Sequence, residues 1–212
     1  MKQEFSEHEL AALRASALEG LSEYRARHIR EVEVMIRRLG GIYLADRISE
    51  LSAAALLHDF TKELSPSEHE RILASHGILL SDEDRLSPKL YHAVTAALLL
   101  PERYPDFATE EIVSAVRYHT TGRRNMTLFE MLLYLADYID GSRTFNDCVA
   151  LRSFFFSKDL SAATPHEKLS HLYETLIRSV DYTVKALVDE GAPISPDSIN
   201  LRNDLIARLR SL

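Results

Sequence analysis

Two adjacent residues carry the first chemical signal in this chain: His58 and Asp59, placed after the apolar run Leu51 to Leu57 and followed at once by Phe60, Thr61 and Lys62. Neighbouring side chains on a helix project about 100° apart, so this imidazole and carboxylate reach one metal ion only if other helices bring further ligands. His28, His92, His119 and Asp137 all stand in helical contexts from which they could do so. The doublet therefore asks for partners, and the chain offers them.

Each candidate has an ordinary reading beside the chemical one. His28 shares a helical stripe with Leu21, Val32, Met35 and Leu39 and is turned inward. His119 follows Ile112, Ala115 and Val116 on one face, and His92 lies one turn before Ala96. One buried histidine is ordinarily a hydrogen-bonded core residue. Three on apolar faces call for a shared explanation, because a buried imidazole costs free energy unless its ring nitrogens are paired. Asp137 has the weakest pattern: Leu128, Met131, Leu132, Leu135 and Ile139 form the apolar stripe of its helix, and Asp137 falls opposite, where periodicity expects a solvated carboxylate. His69-Glu70 and His166-Glu167 begin like zinc-protease helices, but Leu73 and Ser170 stand where the second histidine is required. Both pairs are expected on exposed helix surface. Neither a Walker-type nor a dinucleotide glycine loop is present, so a phosphate would have to be held by metal and cationic side chains.

The elements that must position these residues are read as helices. Apolar residues recur at spacings of three and four, strict alternation is nearly absent, and glycine and proline number only seven each, so the expectation is all-α. Helices are expected at about 18–39, ending on Gly40-Gly41, then at 45–59 and from Ser65-Pro66 to Gly77. The next run from Ser87-Pro88 to Leu100, from Thr109 to His119, and from the Thr127/Glu130 capping box to Asp140. The last cover about 147–156, 165–190 and 196–210, for a compact bundle of about nine helices. With 212 residues, 46% of them hydrophobic, a single domain over 1–212 is expected, with 1–17 and 196–212 as peripheral helical extensions.

A net charge of −7 argues against a broad nucleic-acid-binding surface. No apolar run reaches the eighteen or so residues needed to span a membrane, and the N-terminus is polar and acidic without the core of a signal peptide. The single cysteine, Cys148, cannot form an intrachain disulfide, and a cytoplasmic location follows as the expectation. The segment Leu151-Arg-Ser-Phe-Phe-Phe156 could serve a homodimer contact, with buried core the preferred reading.

In order, His28, His58-Asp59 and Asp137 resemble the HD-domain superfamily of metal-dependent phosphohydrolases, named for its His-Asp doublet. Four segments sharpen the resemblance: Ala54-Ala-Leu-Leu-His-Asp-Phe-Thr-Lys-Glu63, His92 in Leu-Tyr-His-Ala, Val116-Arg-Tyr-His-Thr-Thr-Gly-Arg123, and Tyr134-Leu-Ala-Asp-Tyr-Ile-Asp-Gly-Ser-Arg143. This series looks like the YqeK-type HD hydrolases, which cleave diadenosine tetraphosphate symmetrically into two ADP, and it spans about residues 24–203. The resemblance implies an all-α fold and an iron cofactor of one or two ions. His28, His58, Asp59 and Asp137 match the ligands of a first metal, and His92 and His119 those of a second, with Asp59 bridging. Asp59, Phe60, Thr61, Lys62, His92, His119, Thr120 and Arg143 match positions that contact the nucleotide product. The stretch Arg27 to Glu33 is more charged than the family pattern, and Phe60 stands where tyrosine is common.

The implied reaction is attack of metal-activated water on an inner phosphorus, with Asp59, Lys62, His92 and His119 as the catalytic group. Lys62 would stabilise developing charge, and Arg143 would hold an outlying phosphate, with Arg123 and Arg124 open between that role and solvated surface. Histidine and carboxylate donors fit iron, manganese or zinc, and spacing does not choose among them. The rivals are another HD chemistry, a nucleotidase or deoxynucleotide triphosphohydrolase, and a non-catalytic module that binds metal and nucleotide. No Gly-Tyr-Pro triplet follows the doublet, which sets the cyclic-dinucleotide HD-GYP group aside.

Overall fold

Helix signals written in the sequence recur as geometry in the computed structural model, which describes residues 4–212 and has eleven α-helices and no strand among them. Residues 1–3 of the expected N-terminal extension lie outside the described residues. The helices are α1 (Glu7–Ala17), α2 (Glu23–Tyr43), α3 (Ile48–Leu57), α4 (Pro66–Ser75), α5 (Asp82–Arg85) and α6 (Tyr91–Arg103). They continue with α7 (Glu110–Tyr118), α8 (Leu128–Ile139), α9 (Asn146–Phe156), α10 (Pro165–Asp189) and α11 (Pro196–Ser211). Ser65, Thr127 and Thr164 close capping boxes with Glu68, Glu130 and Glu167, and Thr109 caps α7 through the backbone N–H of Ile112. At its centre α3 runs as Leu51-Ser-Ala-Ala-Ala-Leu-Leu57, every residue buried, between α2, α7, α8 and α1. A helix apolar all round has no solvent face to give up, so its last residue delivers His58 into the middle of the bundle.

Several boundaries differ from the sequence expectation. The helix expected to stop at Gly40-Gly41 runs on to Tyr43. A Cβ on Gly40 would stand 2.8 Å from Leu51 Cδ1, so that glycine admits α3 to a close crossing rather than capping α2. A separate α1 precedes it, opened by a Ser6/Glu9 capping box, with Leu10 and Leu13 in the core beside α3. The helix expected at 45–59 is a one-turn 3-10 helix, Ala45–Arg47, followed by α3, and the doublet lies in the turn just past Leu57. Ser87-Pro88 opens a 3-10 turn rather than α6, without a side-chain cap, and α6 continues through Pro101 to Arg103. Leu151 and Phe155 are fully buried in the core, as the preferred reading of 151–156 had it.

The end of α8 is held from outside the helix. Arg152 donates to the carbonyls of Ile139, Asp140 and Arg143, placing a cation on the C-terminal turn that carries Asp137 and Asp140. On the far side α11 props the loop after α7: Ser198 Oγ donates to the Thr121 carbonyl at 3.0 Å, and Leu201 lies against Gly122. Gly122 has φ +64, and a Cβ there would overlap the Leu201 side chain. Gly122→Ala is expected to cost about 2–5 kcal/mol, combining left-handed strain with overpacking. Urea denaturation checks this, and a loss under about 1 kcal/mol would mean that Leu201 yields freely.

Candidate metal centre and active site

Five helices deliver six side chains to one place. His28 comes from the second turn of α2, His58 and Asp59 from the end of α3, His92 from the first turn of α6, His119 from the C-cap of α7 and Asp137 from the last turn of α8. His28, His58, Asp59, His92 and His119 are buried, and the Asp137 side chain keeps 16% of its surface exposed. His28 Nε2 lies 3.0 Å from Asp137 Oδ1, and His58 Nε2 lies 3.8 Å from the same oxygen. Asp59 divides its oxygens. Its Oδ2 faces His28 and His58 at 3.7 and 3.6 Å, and its Oδ1 faces His92 and His119 at 3.2 and 3.6 Å.

Hydrogen bonding fixes which nitrogen of each ring points inward. His58 Nδ1 donates to the Ala55 carbonyl at 2.6 Å, His119 Nδ1 to Val116 at 2.7 Å and His92 Nδ1 to Lys89 at 2.8 Å, each a carbonyl three residues earlier. In a neutral ring that bond places the proton on Nδ1 and leaves Nε2 a bare lone pair. His92 Nε2 and His119 Nε2 then meet at 3.1 Å with no proton to share. Two lone pairs at that distance repel unless a cation lies beside both. His28 Nε2, His58 Nε2 and Asp59 Oδ1 are buried without a hydrogen-bond partner. Ligand atoms of His28, His58 and Asp137 fall within 4.8 Å of one another, as do those of His58, Asp59 and His119. The residues present fit a metal centre: inward lone pairs, outward Nδ1–H groups anchored on carbonyls, and carboxylates between them.

Electrostatics agree. Burial strongly disfavours the charged form of His58 and brings it down to about 4, and burial likewise pushes His92 well below the usual imidazole range. His28 behaves oppositely: burial lowers it, but the carboxylates of Asp137 and Asp140 beside its ring more than reverse this and raise it to about 9. Burial alone would raise Asp59 and Asp137. The neighbouring imidazoles around Asp59, and Arg143 with His28 around Asp137, hold both well below the ordinary carboxylate range. Burial lowers Lys62, partly opposed by Asp59.

The HD domain family model matches residues 25–142, more than half of the chain. The chain belongs to the HD domain family. A symmetrical bis(5'-nucleosyl)-tetraphosphatase from Bacillus subtilis is 32% identical over 191 residues, covering 88% of this chain and 92% of its own length. A protein of the same name from Staphylococcus aureus is 31% identical, covering 71% of this chain and 76% of its own length. The crystal structure of a predicted HD superfamily hydrolase involved in NAD metabolism, from Clostridium acetobutylicum, superposes with a TM-score of 0.78 at 29% identity, covering 97% of this chain and 100% of that one.

Around the HD doublet the other residues singled out in the sequence divide. Lys62 Nζ stands 3.2 and 3.1 Å from the two ring nitrogens of His92, and Thr120 Oγ1 lies 3.3 Å from His92 Nε2. Arg143 reaches Asp137 Oδ1 at 2.6 Å and donates to the Asp137 carbonyl. Thr61 donates to the His92 carbonyl at 2.9 Å, tying the doublet's turn to α6, and Phe60 packs edge-on against Tyr104. Arg123 is neither solvated nor at the centre: it grips buried Glu130 with two hydrogen bonds of 3.0 and 3.1 Å, and Arg124 is exposed. Asp137 departs from the periodicity expectation because α8 packs against α7, α2, α3, α9 and α10, and every residue from Phe129 to Ala136 is buried. His69 departs too. It is buried, with Nδ1 on Thr95 Oγ1 at 2.9 Å, because α4 packs on α6 through the side that carries Leu73. His166 is exposed, as expected.

Sequence reading missed two neighbours of this HD centre. Arg25, one turn before His28 on α2, forms an ion pair with Asp59 Oδ2. Asp140 Oδ2 lies 3.3 Å from His28 Nδ1, a carboxylate placed behind a ligand histidine, and Asp140 Oδ1 accepts from the Ser142 N–H. The i, i+3 spacing of Arg25 and His28 was the available signal for the first.

Proposed function

We propose that this chain, taken as one HD domain over 1–212, is a cytoplasmic metal-dependent hydrolase that cleaves diadenosine tetraphosphate symmetrically into two ADP. The observation that carries the proposal is the division of Asp59 between two histidine groups, in a family whose relatives across most of this chain bear the name symmetrical bis(5'-nucleosyl)-tetraphosphatase. His28, His58, Asp59 and Asp137 would hold one ion, and His92 and His119 a second with Asp59 shared. Iron is the metal proposed, in one or two ions, with manganese or zinc compatible with the same donors. When bound, the metal supplies charge neutralisation at phosphate and water acidic enough to ionise near neutral pH.

The chain's own residues do the rest. Carbonyl bonds hold the His58, His92 and His119 rings, so little reorganisation accompanies substrate binding. Lys62 places its ammonium beside His92 to meet charge on the transferred phosphoryl group. Arg143, half-exposed on Asp137, offers a guanidinium to an outlying phosphate, and Thr120 a hydroxyl. The product assay is decisive: the protein purified without oxygen should release two ADP from diadenosine tetraphosphate, and ATP with AMP would place the attack on the wrong phosphorus. Turnover of mononucleotides with none of the dinucleotide would favour the nucleotidase rival.

Metal affinity should depend on pH through His28. Its imidazole, raised to about 9, is protonated at neutrality, and a metal must displace that proton. Affinity is expected to rise about tenfold per pH unit between roughly 7 and 9 and to level off above. Chelator competition across that range measures the slope. A flat profile would show that His28 carries no proton for the metal to displace at neutral pH.

A further inference from the structure

Charge around the centre is distributed on two sides. Arg25 and Arg143 stand on the side of Asp59 Oδ2 and Asp137. Lys62 stands on the opposite side, with His92, next to a pocket of about 360 Å³. Its walls include Lys62, Pro66, His69, Pro88, Lys89 and His92, and no carboxylate lines it, in a chain of net charge −7. Lys89 is exposed at the rim and forms no ion pair among the described residues. Its own carbonyl anchors His92 Nδ1, so this side chain springs from a backbone fixed to the centre. The walls are built rather than loose: Thr61 bonds the His92 carbonyl, Thr95 lies 3.2 Å from Thr61, and buried His69 is tied to Thr95. An acid-free concavity with two lysines beside a hydrolytic centre attracts anions and releases them without an internal competitor.

We propose that this pocket is the subsite for the second diphosphate of the substrate, with Lys89 as the residue that sets its affinity and Lys62 shared with the centre. The inference rests on the tetraphosphatase reading given above. Central cleavage leaves one diphosphate on each side of the attacked bond, and each carries charge that must be met. The Arg25/Arg143 side meets one half. The Lys62/Lys89 side meets the other, and Lys89 thereby distinguishes long polyphosphate bridges from short ones.

The test is the stoichiometry of ADP binding to the metal-loaded protein, measured by calorimetry. Two ADP per chain are expected, and Lys89→Glu should keep one and weaken the other by at least about tenfold, with Lys89→Arg close to the wild type. KM for diadenosine tetraphosphate should rise by a similar factor in Lys89→Glu, with kcat within about twofold. One ADP per chain in the wild type, or two sites untouched by Lys89→Glu, would overturn the subsite. Absence of dinucleotide turnover with a Lys89-dependent second ADP would overturn the tetraphosphatase reading and leave the anion subsite standing.

Discussion

Asp59→Asn is expected to abolish turnover of diadenosine tetraphosphate, by about 10³-fold or more, while the helical fold survives. The carboxylate is the one side chain whose two oxygens face both histidine groups, His28 with His58 and His92 with His119. An amide of the same shape keeps the packing of a residue 2% exposed but supplies neither the negative charge that balances Arg25 nor two equivalent acceptors. Metal content should fall with activity, because the shared ligand is lost to both ions. Circular dichroism, metal analysis and the ADP assay on one preparation separate the effects. Activity within tenfold of the wild type would show that the two histidine groups work without their bridge.

The all-α class was legible because apolar residues at spacings of three and four run through most of the chain, and serine and threonine caps with glutamate three residues on begin α4, α8 and α10 where the sequence says they should. What escaped depends on a second surface. Gly40-Gly41 reads as a terminator until α3 is laid across α2, when Gly40 becomes the place that Leu51 touches. Asp137 reads as solvated on a one-sided helix, and α8 is two-sided. His69 was set aside for lacking a second histidine, although its i, i+4 relation to Leu73 already marked the buried face of α4. Arg25 and Asp140 carry no motif of their own. The spacing puts Arg25 on the face of His28, but its pairing with Asp59, like that of Asp140 with His28, is a contact between separate helices, and such a contact leaves no periodicity to read.

The same distinction sorts the cations. The sequence leaves Arg123 open between a phosphate ligand and solvated surface, and its guanidinium is engaged by Glu130, which is fully buried and also accepts from Ser114. Withdrawing Arg123 to bind substrate would leave a buried carboxylate without its partner, a cost of several kcal/mol. Arg143 is also paired, with Asp137 and with buried Asp140, and Lys62 contacts the buried His92 imidazole, so what sets these two cations apart from Arg123 is that their partners belong to the centre itself.

Lys62→Met should therefore lower kcat by roughly 10²- to 10³-fold while metal content stays at the wild-type level and KM changes by less than about threefold. Methionine keeps the stem that packs in the turn after the doublet and deletes only the ammonium. The ammonium lies 3.1 Å from His92 Nε2 and is no ion-pair partner of Asp59 in the resting site, so its removal leaves no buried charge unpaired. Its positive charge gains most when negative charge accumulates on the phosphoryl group, which is the condition for acting on kcat rather than on binding. Lys62→Arg should recover less than about tenfold of the loss, since a planar fork does not replace a point charge set between two ring nitrogens. A fall in kcat of under fivefold, or a rise in KM that accounts for the whole loss, would make Lys62 a binding residue and shift transition-state stabilisation to the arginines across the site.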